Sequence, residues 1–203
     1  MPRKPQQARA RATVDAIIEA GFIAVSKRGT HATTTRQIAE IAGISVGSLY
    51  EYFADKEAIF EAMNQRFVAE VVALVQPLVP TLVRMPIDQA VYELLVAFGA
   101  FLRKNDERYL KFARDSMQAE LQRHLEPVTR LLMDLVTHYI MHNPASVRMR
   151  NVPTMAYIFI NGGIFAVVKH LSDPNPPMSY DELSRGLADM VGHYSKQELA
   201  SKA

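Results

Sequence analysis

The sequence lacks cysteine entirely, although it is 203 residues long. Without cysteine the chain cannot form a disulfide framework, a thiolate nucleophile or a cysteine-based metal site, which is consistent with a reducing compartment. No apolar run is expected to reach the roughly 20 residues that a bilayer-spanning helix needs. The basic start, MPRKPQQARARATVD, lacks the apolar segment of a secretory signal. We therefore expect a cytoplasmic protein with no membrane partner.

Strand patterns are scarce, and the overall charge is close to balanced. Hydrophobic residues make up 49% of the sequence and charged residues 22%, which is the composition of a chain with a packed core. Apolar residues recur at spacings of three and four through most of the sequence, and this is the periodicity of amphipathic helices. The sequence therefore predicts an all-α fold.

Two short helical patterns meet at a single glycine in the stretch TTTRQIAEIAGISVGSLYEYF, residues 33–53. Thr34 with Gln37 three residues later matches a capping box, which predicts the start of the first short helix. Gly43 can take the positive φ that a sharp turn needs, and Ser45 can cap the second short helix. The pattern predicts a helix-turn-helix.

The outer face of the second short helix is small and polar. Gly47 lets the backbone approach a duplex, while the hydroxyls of Ser45 and Ser48 and the free amides of the helix start can donate to phosphate. A helical hairpin buried in a core is the alternative. That alternative explains the apolar positions and Gly43, but it leaves the polar outer face, including the threonines at 33–35, unexplained.

Positive charge is concentrated in the same region. Residues 1–56 carry eight basic and five acidic side chains, whereas the rest of the chain carries 15 and 16. Lys56 stands in the first turn of the next predicted helix, where the helix dipole disfavours a cation. A nearby phosphate would offset that effect, so the charge pattern favours double-stranded DNA as a partner.

The order, spacing and type of residues 8–63 resemble the DNA-binding module of TetR-type (tetracycline-repressor-like) transcriptional regulators. The matching run is GTHATTTRQIAEIAGISVGSLYEYFADKEAIFEAM. The resemblance implies three small helices for DNA and about six more for ligand binding and dimerisation, or about nine helices in total. We expect a helix-turn-helix domain with a basic N-terminal arm at residues 1–56 and a ligand-binding and dimerisation domain at 57–203.

At the positions that match the family's motif, the resemblance implies DNA contacts from nine residues: Thr34, Arg36, Ser45, Val46, Gly47, Ser48, Tyr50, Tyr52 and Lys56. Val46 departs from the pattern, because many relatives have lysine there. Valine cannot pair with phosphate or guanine, but it can touch a thymine methyl group. We therefore expect affinity to depend more on Arg36, Lys56 and the basic arm, which comprises Arg3, Lys4, Arg9 and Arg11.

Beyond about residue 75 the predicted helices are rich in methionine and aromatic residues. Such side chains either fill a core or line an adaptable apolar cavity. Taken with the resemblance, they predict a pocket for a small apolar or amphipathic effector. The predicted lining residues are Phe98, Phe101, Tyr109, Phe112, Met117, Leu121, Tyr139, Met155 and Phe159.

The last two predicted helices are the expected dimer face. The pair Gly162–Gly163 in mid-helix costs about 1 kcal/mol per glycine relative to alanine, and close approach of another helix would offset that cost. A twofold partner supplies such a helix, and the resemblance implies a four-helix bundle between two copies. Packing within one chain is the alternative. The predicted face is Ala156, Ile160, Gly163, Val167, Leu183, Leu187, Met190, Val191 and Tyr194.

These patterns together predict a ligand-responsive transcriptional regulator. The resemblance favours a repressor that binds palindromic operator DNA as a homodimer and is released by its effector. A protein-binding adaptor or an enzyme without DNA binding is the alternative. The sequence has no nucleophile–base pair, phosphate loop or metal triad, and His138 and His142 lack a third ligand. We therefore predict no catalysis, no metal and no cofactor.

Overall fold

The computed structural model describes residues 4–118 and 126–200, with side chains at 8–115 and 126–200. Within these ranges the chain forms helices and no strand, which confirms the predicted all-α fold. The number of helices agrees with the expected nine apart from the single turn α5. The helices are α1 (Lys4–Ala32), α2 (Thr35–Ala42), α3 (Val46–Tyr50), α4 (Lys56–Val75), α5 (Val79–Leu82), α6 (Ile87–Leu102), α7 (Lys104–Gln118), α8 (Glu126–His142), α9 (Val152–Ser172) and α10 (Tyr180–Ala200).

The start and end of α2 are set by the predicted caps. The Gln37 amide donates to Thr34 Oγ1 at 3.3 Å, and the Thr34 amide donates to Gln37 Oε1 at 3.1 Å. This capping box satisfies two amides that the first helical turn leaves unpaired. Gly43 ends the helix in the left-handed region, with φ 71° and ψ 29°. The glycine therefore gives the sharp turn that the sequence predicts.

The next two helices begin at the caps Ser45, which the sequence predicts, and Asp55. The Ser48 amide donates to Ser45 Oγ at 3.0 Å at the start of α3. The Ala58 amide donates to Asp55 Oδ1 at 2.7 Å at the start of α4. Because each cap acts over three residues, the positions of α3 and α4 follow from the local sequence.

The first helix begins at Lys4, within the segment expected to form the basic N-terminal arm. Arg9 and Arg11 of the predicted basic arm therefore lie on α1, where both are exposed. Arg3 lies outside the described residues. The helical path of α1 is interrupted at Gly29, which has φ 78° and ψ 168°, in agreement with the predicted stop.

An aromatic core joins α1 to α4, α6 and α7. The Phe22 ring on α1 lies edge-on to Tyr109 at 5.0 Å and to Phe112 at 5.1 Å between centroids. Phe67 of α4 contacts Tyr109 at 5.7 Å and Phe101 at 5.9 Å. Such edge-to-face pairs add to the stabilisation from burial. The N-terminal helices are therefore packed directly on the rest of the chain.

Close contact between α6 and α10 depends on two glycines. A Cβ at Gly99 would lie 2.4 Å from the Tyr180 ring, and one at Gly192 would lie 2.9 Å from Asp88 Cβ. Tyr180 fills the space beside Gly99, and its hydroxyl donates to the Leu95 carbonyl at 2.5 Å. The absence of side chains at these positions lets the two helices lie against each other.

The helix α9 is apolar on nearly every side. By length and composition it could cross a bilayer, so the expectation that no segment is long and apolar enough does not hold for α9. One such helix is weak support for a membrane span, because core helices of soluble proteins pass the same test. Within this chain only 17% of its most apolar window is buried, and Tyr157 and Phe165 are 62% and 55% exposed. Much of α9 is therefore uncovered by the chain itself.

Candidate nucleic-acid interface and apolar cavity

The surface around the start of α3 is open. Ser45 and Gly47 are exposed and Ser48 is half-buried. A Cβ at Gly47 would have only Ser45 Oγ within 4 Å, at 3.7 Å. This small, polar surface has no side chain bulky enough to prevent the start of α3 from reaching a groove, and its hydroxyls are hydrogen-bond donors and acceptors for phosphate.

Two tyrosines extend this surface at the end of α3. Tyr50 is 50% exposed and Tyr52 is 38% exposed. The Tyr50 hydroxyl lies 3.2 Å from Thr35 Oγ1, which ties the end of α3 to the start of α2. Thr35 was not among the predicted site residues, although it adjoins Thr34 in the same threonine run. The contact orients the Tyr50 side chain.

The predicted threonine run is divided by the fold. Thr34 is exposed, whereas Thr33 is 1% exposed and its hydroxyl donates to the Gly29 carbonyl at 2.7 Å. The expectation that Thr33 faces outward is therefore wrong. Its side chain satisfies a carbonyl where the path of α1 is broken, which is a common use of a threonine hydroxyl near a helix end.

The two basic residues near the candidate interface differ in their exposure and their contacts. Arg36 on α2 is exposed. Lys56 is half-buried, with its Nζ 5.3 Å from the centroid of the Phe60 ring. The ring face attracts the ammonium group and restricts where it can reach. The cation at the start of α4 is therefore held in place before any partner binds.

Val46 is half-buried and packs against the hydrophobic core. Its main contacts are thus inside the helix-turn-helix, beside fully buried residues such as Ile38 and Leu49. Only the remaining surface of the valine faces outward. The residue helps to pack α3 and leaves a small apolar area exposed.

Polar contacts tie α1 to α7. The Thr30 amide donates to Asp115 Oδ2 at 2.9 Å, directly after the break at Gly29. Arg108 forms an ion pair with Glu19. The members of these pairs lie 85 and 89 residues apart in the sequence. No local spacing signals such a contact.

A buried tyrosine lies beneath these contacts. The Tyr109 hydroxyl donates to Glu70 of α4. Burial, and then the hydrogen bond to Glu70, raise the pKa of the Tyr109 phenol well above its usual range. The phenol therefore stays protonated and remains a donor at neutral pH. It links α7 to α4 at the level where both helices pack on α1.

An apolar cavity of about 210 Å³ lies between α4, α6, α8, α9 and α10. Four of the predicted pocket residues line it, namely Phe98, Tyr139, Met155 and Phe159. Val71 and Val75, near the end of α4, form part of the same wall. The helix that begins at the candidate interface therefore ends at the cavity.

The other predicted pocket residues lie elsewhere. Phe101, Tyr109 and Phe112 are nearly fully buried in the aromatic core around Phe22, and they do not line this cavity. Periodicity predicts that they face inward but does not say which neighbour they face. The Met117 side chain and Leu121 lie outside the described residues.

Residues 17–63 match the sequence profile described as bacterial regulatory proteins, tetR family. The helix-turn-helix region of this chain is therefore similar to that of TetR-family regulators. The profile is that of transcriptional regulators, which supports the DNA-binding regulator expected from the sequence.

Solved structures agree with this assignment at the level of the fold. FadR of Bacillus subtilis in complex with stearoyl-CoA has a TM-score of 0.66 and 16% identity, covering 87% of this chain and 96% of that one. A protein of Mesorhizobium loti described as a TetR-family regulator has a TM-score of 0.68 and 20% identity, covering 92% and 96%. NalD of Pseudomonas aeruginosa, the secondary repressor of the MexAB-OprM multidrug efflux pump, has a TM-score of 0.61 and 20% identity, covering 91% and 96%. Among curated proteins, none matches the chain significantly in sequence.

The predicted dimer residues point mostly inward within this chain. Seven of the nine line the cavity, and Val167 is fully buried there. Of the other two, Leu183 is half-buried and Met190 is 57% exposed. The seven inward residues are Ala156, Ile160, Gly163, Val167, Leu187, Val191 and Tyr194.

The opposite side of α9 is the uncovered one. Tyr157, Ile158 and Phe165 are 62%, 52% and 55% exposed, and a Cβ at Gly162 would have nothing within 4 Å. Within this chain, the predicted dimer stripe of α9 lies at the cavity, and its place in a dimer stays a prediction. A helix that is apolar all round has an inner and an outer stripe, and periodicity alone does not separate them.

Proposed function

We propose that this chain is a TetR-family repressor that binds palindromic operator DNA as a homodimer. The observation that carries the proposal is the open surface at the start of α3, where Ser45 and Gly47 are exposed. The fold is shared with NalD, which is a repressor. We divide the chain at Lys56, so that residues 1–56 bind DNA and residues 57–203 bind ligand and dimerise. An operator-binding protein works in the cytoplasm.

The start of α3 enters the major groove in this proposal. Ser45 and Ser48 contact phosphate, the small Gly47 admits close approach, and Val46 offers its exposed carbon atoms to a thymine methyl group. The other contacts come from the predicted set around this helix: Thr34, Arg36, Tyr50, Tyr52 and Lys56. Recognition is therefore made chiefly through phosphates, with limited reading of base edges.

The second copy is proposed to cover the exposed side of α9. Tyr157, Ile158 and Phe165 are apolar side chains on α9 that water would otherwise contact, and Met190 of α10 is also exposed. Exposed apolar surface of this kind marks an interaction site. A twofold axis then pairs the same side of α9 on both subunits and sets the spacing of the two α3 helices.

The cavity is proposed as the site of a small apolar or amphipathic effector. The similar fold of FadR, solved with stearoyl-CoA, is consistent with an apolar ligand in this part of the chain. The helix α4 is proposed to couple the cavity to the DNA-binding region. Its 20 residues span about 30 Å between Lys56 and the cavity wall. An effector releases DNA only by preferring a different α4 position.

Binding to genomic fragments tests the DNA proposal directly. We expect selection from sheared genomic DNA to enrich a palindromic site, and the affinity for that site to fall steeply with salt. Lys56→Ala should lower the slope of log K against log salt by about one unit, because one phosphate contact is lost. Arg130→Ala on the exposed side of α8 is the matched control. No DNA binding at low salt would support the protein-binding adaptor instead.

A further inference from the structure

We propose that the effector is a small, electrically neutral molecule made mostly of hydrocarbon, and that its anionic analogues are rejected. The inference rests on the proposed function, in which the cavity between α4 and α10 receives the effector. It narrows the expected ligand from apolar or amphipathic to uncharged.

Among the residues that the structure describes, no charged side chain lines the cavity. Its lining consists of aliphatic and aromatic side chains together with three hydroxyl-bearing residues, Tyr139, Tyr194 and Ser195. Ligand sites that orient a charged group usually place a few convergent polar or charged side chains in an apolar wall. A carboxylate entering this cavity would lose its water without gaining a cation. The lining therefore favours uncharged ligands.

The two tyrosine hydroxyls at the cavity wall already donate hydrogen bonds to backbone carbonyls. Tyr139 donates to the Met85 carbonyl at 3.0 Å, and Tyr194 donates to the Arg150 carbonyl at 2.9 Å. Neither hydroxyl can donate to a carboxylate without breaking its present hydrogen bond, although each oxygen can still accept one. The Arg150 side chain is exposed. A ligand hydroxyl is therefore tolerated better than a ligand anion.

Two charged residues that neighbour the cavity lining in sequence pair with each other. Asp88 and Lys196 each follow a lining residue in sequence, Ile87 and Ser195. Lys196 Nζ lies 3.2 Å from Asp88 Oδ2. The Gln89 amide, and then Lys196, hold the pKa of Asp88 below its usual range, so the carboxylate stays charged at neutral pH. The neighbouring cation is thus already neutralised.

The volume of the cavity limits the size of the ligand. A cavity of about 150 Å³ lined by apolar side chains binds benzene, whereas drug-sized ligands occupy about 300–1,000 Å³. The value here, about 210 Å³, lies between them. We therefore expect a molecule larger than benzene and smaller than a typical drug.

Matched neutral and anionic probes test the inference. Calorimetry on the full chain at pH 7.5 would compare 2-naphthalenemethanol with 2-naphthoate, and 1-decanol with decanoate. In at least one pair we expect the neutral probe to bind about 100-fold more tightly, because the anion must be desolvated without a partner. Equal or tighter binding of the anions, or no binding of either neutral probe, would overturn the inference.

A charge placed in the wall should invert the preference. Leu132→Lys puts an ammonium group on a lining residue, so we expect the variant to favour 2-naphthoate over the alcohol. Val147→Lys is the control, because Val147 is 68% exposed and lies outside this cavity. The wild-type comparison decides the question if Leu132→Lys does not fold.

Operator binding in the same samples separates this inference from the proposed function. A neutral probe that binds without weakening operator affinity would contradict effector release and leave the ligand class standing. An anion that releases the operator while the neutral probe does not would contradict the ligand class and leave effector release standing. Release by the neutral probe alone would support both.

Discussion

The helix-turn-helix and the cavity-bearing domain are held in shape by different kinds of contact. In the first, side chains such as Thr34, Ser45 and Asp55 make directional hydrogen bonds to amides three residues away. In the second, five helices meet through apolar side chains that have no preferred partner. The comparison teaches that the interface is fixed by local sequence, whereas the cavity depends on how distant helices pack.

Replacing a core residue between the two regions should give the largest effect. Phe22→Ala removes a side chain that is 1% exposed and contacts Tyr109 and Phe112. We expect a loss of about 3–5 kcal/mol in the free energy of unfolding, because a large void remains. Phe98→Ala, at the cavity wall, should cost less than about 2 kcal/mol, since this side chain is only partly buried. Urea titrations of both variants would measure the difference, and equal losses would contradict the comparison.

The cap residues show how much the sequence alone could predict. Thr34, Gly43 and Ser45 were identified because each acts on atoms within a few residues of itself. The helix ends near them therefore followed from spacing. The start of α1 was missed because the residues from Lys4 to Arg9 carry no apolar periodicity, although they are helical.

The cavity and the outer face of α9 could be predicted only in part. Phe98 and Phe101 are three residues apart on one helix, yet Phe98 lines the cavity and Phe101 enters the aromatic core. The spacing predicts that both side chains face inward, but it does not predict which residues each one contacts. Likewise the Val167 stripe of α9 is buried and the Phe165 stripe is exposed, because the distant helices α6, α8 and α10 decide which stripe is covered.

Removing the polar link between the regions should have an intermediate effect. Asp115 is 12% exposed at its side chain and accepts from the Thr30 amide. Asp115→Ala leaves that amide without its charged acceptor, so we expect a loss of about 1.5–3 kcal/mol in unfolding free energy. Asp134→Ala, at an exposed position of α8, is the control. A change of less than about 0.5 kcal/mol, typical of a surface substitution, would show that the link is unimportant.

Changing the exposed side of α9 should have the smallest effect on the folded monomer. Phe165→Lys replaces a ring that is 55% exposed, so we expect the unfolding free energy of the monomer to change by no more than about 0.5 kcal/mol. The same charge, placed twice across a twofold axis, should dissociate the dimer. Sedimentation velocity would detect this, with Met141→Lys on α8 as the exposed control. A dimer that persists in Phe165→Lys would exclude this side of α9 as the interface.

The operator affinity of Gly47→Leu, measured by fluorescence anisotropy, tests the central claim most directly. The new side chain meets no protein atom except Ser45 Oγ near its Cβ, so the melting temperature should be unchanged. It projects from the surface proposed to enter the groove, and we expect operator affinity to fall at least about 100-fold, the loss of a few kcal/mol of groove contacts. Ala100→Leu, at an exposed position on α6, should bind as the wild type does. Unchanged affinity in Gly47→Leu would contradict the claim that the start of α3 lies in the DNA groove.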